Sequence, residues 1–229
     1  MHLFPLFLRL DGRRCIVVGG GRVGLLRVRA LADAGADVVL VEPMPNDALR
    51  AAVAELGADV QLLERRFRSG DTCGCLLAFA CTSSVEAQEA VATDAAASGA
   101  LLCRADDAEA GDFTTAAVLR RGDVCVAVSS GGASAALAVQ VRDRIGAFAG
   151  DELGEAACVL HAMRARLRGE CAQQRLRAAA LRSVVENGLV DLVREGKREA
   201  VAAMVEAAIA RACAGGEESG AGEVDSCIA

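Results

Sequence analysis

Along the first hundred residues, short apolar runs alternate with longer stretches in which apolar positions recur every three or four residues. The runs at 15–18, 38–41, 60–63, 75–81 and 100–103 are rich in Val, Leu, Ile and Cys. Continuous runs of this kind predict strands buried on both faces. The intervening stretches, 23–34, 47–56 and 85–97, have helical spacing. This alternation predicts a mainly parallel sheet with helices on both faces and right-handed crossovers. The rhythm then changes. Residues 113–119 and 124–129 read as two extended segments around Arg120-Arg121-Gly122-Asp123, an antiparallel hairpin. Ser130-Gly131-Gly132-Ala133-Ser134 ends it, and a helix is expected over 135–148. After Asp151 only Ala- and Leu-rich helical patterns follow, broken near Gly169 and Gly188, and the Gly- and Glu-rich end, 214–229, reads as a disordered tail. The apolar start, 1–8, reads as a lead-in strand.

The first strand runs directly into Gly19-Gly20-Gly21-Arg22-Val23-Gly24, the spacing Gly-x-Gly-x-x-Gly. A strand, this turn and a helix form the cradle of a dinucleotide pyrophosphate. Gly19 permits the tight turn, Gly21 lets phosphate approach the backbone, and Gly24 lets the helix sit close to the strand. The N–H groups of the first helical turn then face the phosphates. Arg22 is either a surface cation or a phosphate partner. The second strand ends in Glu42, where a carboxylate can accept hydrogen bonds from both ribose hydroxyls and repels a 2′-phosphate, which favours NAD over NADP.

Composition narrows the alternatives. The 229 residues are 53% hydrophobic, enough for one sizeable domain and a smaller one. No run reaches the roughly 18 apolar residues of a membrane span, and the short apolar start does not make a secretory signal, so a cytoplasmic protein is expected. The net charge of −6 argues against general nucleic-acid binding. One basic stretch stands out against it: Arg164, Arg166, Arg168, Arg175, Arg177 and Arg182, interrupted by the single acid Glu170. It reads as a solvated helix face, or as a local attractor for a polyanion. Ten cysteines and two histidines lack metal-ligand spacing, so no metal site is expected. Cys15, Cys81, Cys103 and Cys125 fall in apolar runs, where cysteine behaves as a small hydrophobe.

Several segments together resemble one family. They are Phe4-Pro5-Leu6-Phe7 with Leu10, the glycine turn, Ala80-Cys81-Thr82, Asp106-Asp107 ahead of Asp112-Phe113, Arg121-Gly122-Asp123, and Val126-Ala127-Val128-Ser129-Ser130-Gly131-Gly132-Ala133-Ser134. The chain resembles the bifunctional precorrin-2 dehydrogenase/sirohydrochlorin ferrochelatase family, the N-terminal module of siroheme synthases. The resemblance implies an α/β fold with a Rossmann-type parallel sheet, followed by a small dimerisation domain and an all-α C-terminal domain. The expected boundaries are 1–113, 114–149 and 150–213, with the tail beyond. It implies a homodimer that oxidises precorrin-2 to sirohydrochlorin with NAD and then inserts ferrous iron as a substrate. Asp106 corresponds to the family's key aspartate, and Thr82 lies beside the cofactor. Ser130 corresponds to a serine near the substrate cleft, with Ser129 and Gly131 beside it as further substrate-binding candidates; Arg120 or Arg121, Arg142 and the arginine-rich stretch are candidate partners for the substrate's carboxylates.

The chain departs from the family at Cys103 (usually Asn), at Ser83 and Ser84 (usually acids), at Ala116 and Ala135 (usually Pro), and at Gly24 (usually Ala), the last expected to be harmless. For Asp106 alone, a loop acid capping a turn is the plainer reading, and Ser129 or Ser130 can be an N-cap. Two other functions stay open: a dehydrogenase without chelatase activity, and a non-catalytic NAD-binding regulatory module.

Overall fold

The computed structural model describes residues 3–107 and 109–220, with side chains described as far as residue 215. Two compact units divide the chain: Met1–Thr115 with Gly131–Ser134, and Ala116–Ser130 with Ala135–Ala229.

The first unit alternates strand and helix: β1 (Arg14–Val18), α1 (Arg22–Ala32), β2 (Asp37–Val41), α2 (Asp47–Glu55), β3 (Val60–Leu63), β4 (Leu77–Ala80), α3 (Val85–Ser98) and β5 (Leu101–Arg104). The strands form one sheet in the order β3-β2-β1-β4-β5, every pair parallel. Successive side chains of a strand point to opposite faces, so β1 feeds two cores. Cys15 and Val17 pack with Val28 and Leu31 of α1 and Leu49 and Val53 of α2. Ile16 and Val18 pack with Val91 and Ala95 of α3. All four are essentially buried, which is why the sequence shows an unbroken apolar run rather than alternation. From β1 the chain steps outward one way to β2 and β3 and then the other way to β4 and β5. The strand order therefore reverses at β1, and a crevice opens at the C-terminal ends of β1 and β4.

The second unit begins with a hairpin, β6 (Ala117–Arg121) and β7 (Val124–Val128), closed by Gly122 at φ +53°. Helix α4 (Ala135–Phe148) packs on both of its strands. Four further helices, α5 (Glu152–Glu170), α6 (Gln174–Glu186), α7 (Leu189–Arg194) and α8 (Arg198–Gly220), enclose a core of Met163, Leu167, Val184, Leu189 and Ile209.

Three expectations need revision or restatement. The lead-in segment from residue 3 is not a strand: Phe4, Leu6 and Phe7 are exposed, and only Leu10 enters the core. An apolar run becomes a strand only where a sheet edge receives it, and β3 and β5 are the edges of this sheet. The segment 114–149 falls within the second unit except for 114–115 and 131–134, which belong to the first. The tail expected from 214 begins inside α8, which runs to Gly220, and 221–229 lie outside the described residues.

Candidate functional site

A cleft of about 860 Å³ lies at the C-terminal edge of the sheet in the first unit. Gly19, Gly21, Arg22 and Val23 line it from the glycine turn, Glu42 and Pro43 from the end of β2, and Arg66 and Phe67 from the segment after β3. Cys81, Thr82 and Ser83 line it from the end of β4.

Each glycine of the turn has its own reason. Gly19 takes φ +106°, and a Cβ there would stand 2.6 Å from the Cys81 carbonyl oxygen. Gly20 is hemmed in by the side chains of Leu49 and Glu42. A Cβ on Gly24 would overlap the Gly19 carbonyl oxygen. The alanine usual in the family is therefore not a harmless exchange in this chain: α1 is seated against the turn at that point. Gly21 differs from the rest. It precedes α1 at φ −67°, and a Cβ there would meet nothing within 4 Å. The space in front of it is the open cleft. No side chain caps α1, and its first turn carries no acid. The N–H groups and positive dipole end of α1 thus remain available to an anion, the physical requirement for a pyrophosphate. On these observations the residues present fit a dinucleotide.

Glu42 reaches back to the turn. Its Oε2 accepts the Gly20 N–H at 2.7 Å and its Oε1 accepts the Met44 N–H at 3.0 Å. Each oxygen keeps a further lone pair for a ribose hydroxyl. The carboxylate thus braces the glycine turn, a role invisible in the spacing. Thr82 accepts the Ser84 N–H through Oγ1 at 3.2 Å, and Ser84 caps α3 by accepting the Ala87 N–H at 3.2 Å.

Asp106 follows β5 at the same edge of the sheet. Ala80 pairs with Arg104, so Thr82 and Asp106 each stand two residues beyond paired positions of neighbouring strands. Asp106 does not line the cleft, and its side chain is 42% exposed. Arg104 grips it with two hydrogen bonds, Nε to Oδ1 at 3.3 Å and Nη2 to Oδ2 at 3.0 Å. The guanidinium holds the Asp106 carboxyl below the usual carboxylate range. Asp107 instead accepts the Glu109 N–H, closing a local turn.

The other expected residues do not gather at this cleft. Arg121, Arg142, Ser129 and Ser130 belong to the second unit, and Gly131 to the first. Arg121 donates to the Ala149 and Arg120 carbonyls at 2.8 and 3.2 Å. Arg142 holds its neighbour Asp143 at 2.5–2.8 Å. Within the arginine-rich stretch, Arg166 pairs with Glu170 and Glu206, and Arg177 donates to the Cys171 and Ala172 carbonyls. Burial pushes the thiols of Cys15 and Cys81 up to about 11, so both are protonated at neutral pH; Cys15 is buried packing, while Cys81 is partly buried and lines the cleft. Among the described residues, no group of three or more His, Cys, Asp or Glu is placed to hold a metal ion.

Arg66, Phe67 and Gln88 have no signal in the spacing. Only Arg104 left a trace, as a charge closing an otherwise apolar run two residues before Asp106.

The fold and cleft define a dinucleotide-binding α/β protein, and an NAD(P)-binding family model matches residues 6–117. The chain is 35% identical over 221 residues to a siroheme synthase of Chromobacterium violaceum, covering 96% of this chain and 46% of that protein. It is 33% identical over 212 residues to a siroheme synthase of Azotobacter vinelandii, covering 93% and 45%. The chain therefore spans about half the length of these curated relatives. Among solved structures, SirC, a precorrin-2 dehydrogenase, superposes with a TM-score of 0.73 at 18% identity, covering 89% of this chain and 99% of that one, a likeness of fold. Along nearly its whole length the chain is thus similar to about half of a siroheme synthase, and it has the fold of a precorrin-2 dehydrogenase.

Proposed function

We propose that this chain oxidises precorrin-2 to sirohydrochlorin with NAD and then takes ferrous iron as a substrate to give siroheme. The observation that carries the reading is the pairing of a dinucleotide cradle with an ionised Asp106 on the same edge of one sheet.

Bound NAD would supply the hydride acceptor. The residues do the rest. Gly21 and the first turn of α1 hold the pyrophosphate, and Glu42 receives the ribose and repels a 2′-phosphate, giving NAD preference. Asp106 accepts the proton that accompanies hydride loss, a task open to a carboxylate that is ionised at neutral pH. During iron insertion the same carboxylate, partly open to solvent, takes the protons leaving the pyrrole nitrogens one at a time and releases each to water. A homodimer accords with the exposed apolar side chains of Val139, Val141 and Phe148 on α4.

A coupled assay tests this: precorrin-2 with NAD, first without and then with Fe²⁺. Asp106→Ala is expected to lose NADH production while keeping NAD affinity. Oxidation of precorrin-2 by this variant at the wild-type rate removes Asp106 as the base. NAD binding by the wild type without turnover leaves the regulatory module as the function. NADH production without uptake of iron leaves a dehydrogenase alone.

A further inference from the structure

Arg104 is the most heavily engaged side chain at the C-terminal edge of the sheet. It is 11% exposed although it closes an edge strand. Besides its two bonds to Asp106, it donates Nη1 to Glu89 of α3 at 2.7 Å and Nη2 to the Gln88 Oε1 at 3.2 Å. Gln88 is buried, 4% exposed, and its Nε2 donates to the Thr82 carbonyl at 2.7 Å. That donation fixes the orientation of the amide, so its oxygen is the atom facing Arg104. A continuous chain of hydrogen bonds thus runs from the cleft wall at Thr82 through Gln88 and Arg104 to Asp106.

We propose that Arg104 is a positioning residue for the dehydrogenation: clamped by Gln88 and Glu89, it fixes the Asp106 carboxylate in place and in its ionised form, in register with the Thr82 wall of the cofactor cleft. This rests on Asp106 being the base. The planar guanidinium suits the task, because it presents two parallel donors to one carboxylate and still has donors for two partners on α3. The charged groups around Asp106 are Arg104 on β5, Glu89 on α3, which shares that guanidinium, and the neighbouring Asp107. Arg104 is the main group that favours the ionised form, aided by the backbone N–H groups of Asp106 and Asp107, while partial burial opposes it. Loss of Arg104 removes the one cation of this group.

The sign follows. A base must be ionised to act, and Arg104 lowers the pH at which Asp106 ionises. Removing Arg104 therefore moves the acidic limb of the pH profile upward.

The test measures kcat/KM for precorrin-2 oxidation against pH, together with the titration of the Asp106 carboxyl by carbon-13 NMR, assigned with Asp106→Asn. In Arg104→Gln both midpoints are expected to rise by about one pH unit, the low end of the range for an arginine neighbour because the pair is partly solvated. In the same variant kcat falls roughly tenfold, with KM for NAD little changed. Arg104→Lys keeps a charge but not the fork, so its midpoints stay near wild type while kcat remains reduced. An Asp106 midpoint and a kcat both unmoved in Arg104→Gln overturn the role of Arg104 while leaving Asp106 as the base. Wild-type turnover by Asp106→Asn instead overturns the base itself, and with it the positioning role.

Discussion

At the scale of single residues, glycines of one motif answer to different constraints, and this separates folding from binding. Gly24 is confined by the turn it packs on, whereas Gly21 faces only the cleft. Gly24→Ala is expected to cost about 1–3 kcal/mol, because a Cβ must displace backbone rather than a flexible side chain. Gly21→Ala is expected to change stability by less than about 1 kcal/mol, since its φ of −67° suits any residue and a modest capping loss is offset by a stiffer unfolded chain. Its NAD affinity should nevertheless drop roughly tenfold or more, about 1.4 kcal/mol per decade. Urea unfolding and calorimetric titration on the two variants check the pair. Equal losses of stability would mean that Gly21 is a turn glycine like the rest.

Between elements, the buried anchor is Asp94 on α3. It accepts Gly70 N–H at 2.7 Å, Thr72 N–H at 3.1 Å, Thr72 Oγ1 at 2.7 Å and Ser69 Oγ at 3.1 Å. It thereby fastens the segment before β4 to the helix after it. Burial works to raise this carboxyl's pKa, and the hydrogen bonds outweigh it, so the group sits below its ordinary value. A carboxyl depressed in the folded state stabilises the fold above its unfolded pKa, near 3.9. That contribution disappears as pH falls through the lower, folded value. Asp94→Asn is expected to lose roughly 2–3 kcal/mol at pH 7, with one oxygen replaced by a donor facing donors. The gap from wild type should narrow below about pH 4. Unfolding curves at pH 7, 5 and 3 measure it, and a gap independent of pH would remove the ionised carboxylate as its cause.

For the molecule as a whole, charge poses a conflict. The chain carries −6, and the substrate proposed for it is a polycarboxylate. Diffuse repulsion and local arginine contacts predict opposite responses to salt. Screening the first tightens binding, and screening the second weakens it. Local contacts at short range outweigh a diffuse net charge, so KM for precorrin-2 is expected to rise with salt. Steady-state kinetics between about 20 and about 300 mM NaCl, roughly one-fifth and three times the ~0.1 M ionic strength at which the Debye length is ~10 Å, distinguish them. A falling KM would exclude the arginine-rich stretch from substrate binding.

Much of this molecule was legible in the order of its residues. Five parallel strands, the glycine turn and the hairpin leave periodic signals, because burial on both faces demands unbroken apolar runs and a left-handed turn demands glycine. Asp106 came from a resemblance in motif, since a lone loop acid has no pattern of its own. Tertiary structure alone decided the rest: that residues from 3 onward find no sheet edge, that Glu42 braces Gly20, and that Arg104 reaches Asp106, Glu89 and Gln88 together. The reason is physical. Periodicity records which face of an element leaves water, while a hydrogen bond between distant segments depends on strand order and register, which the chain fixes only when it folds.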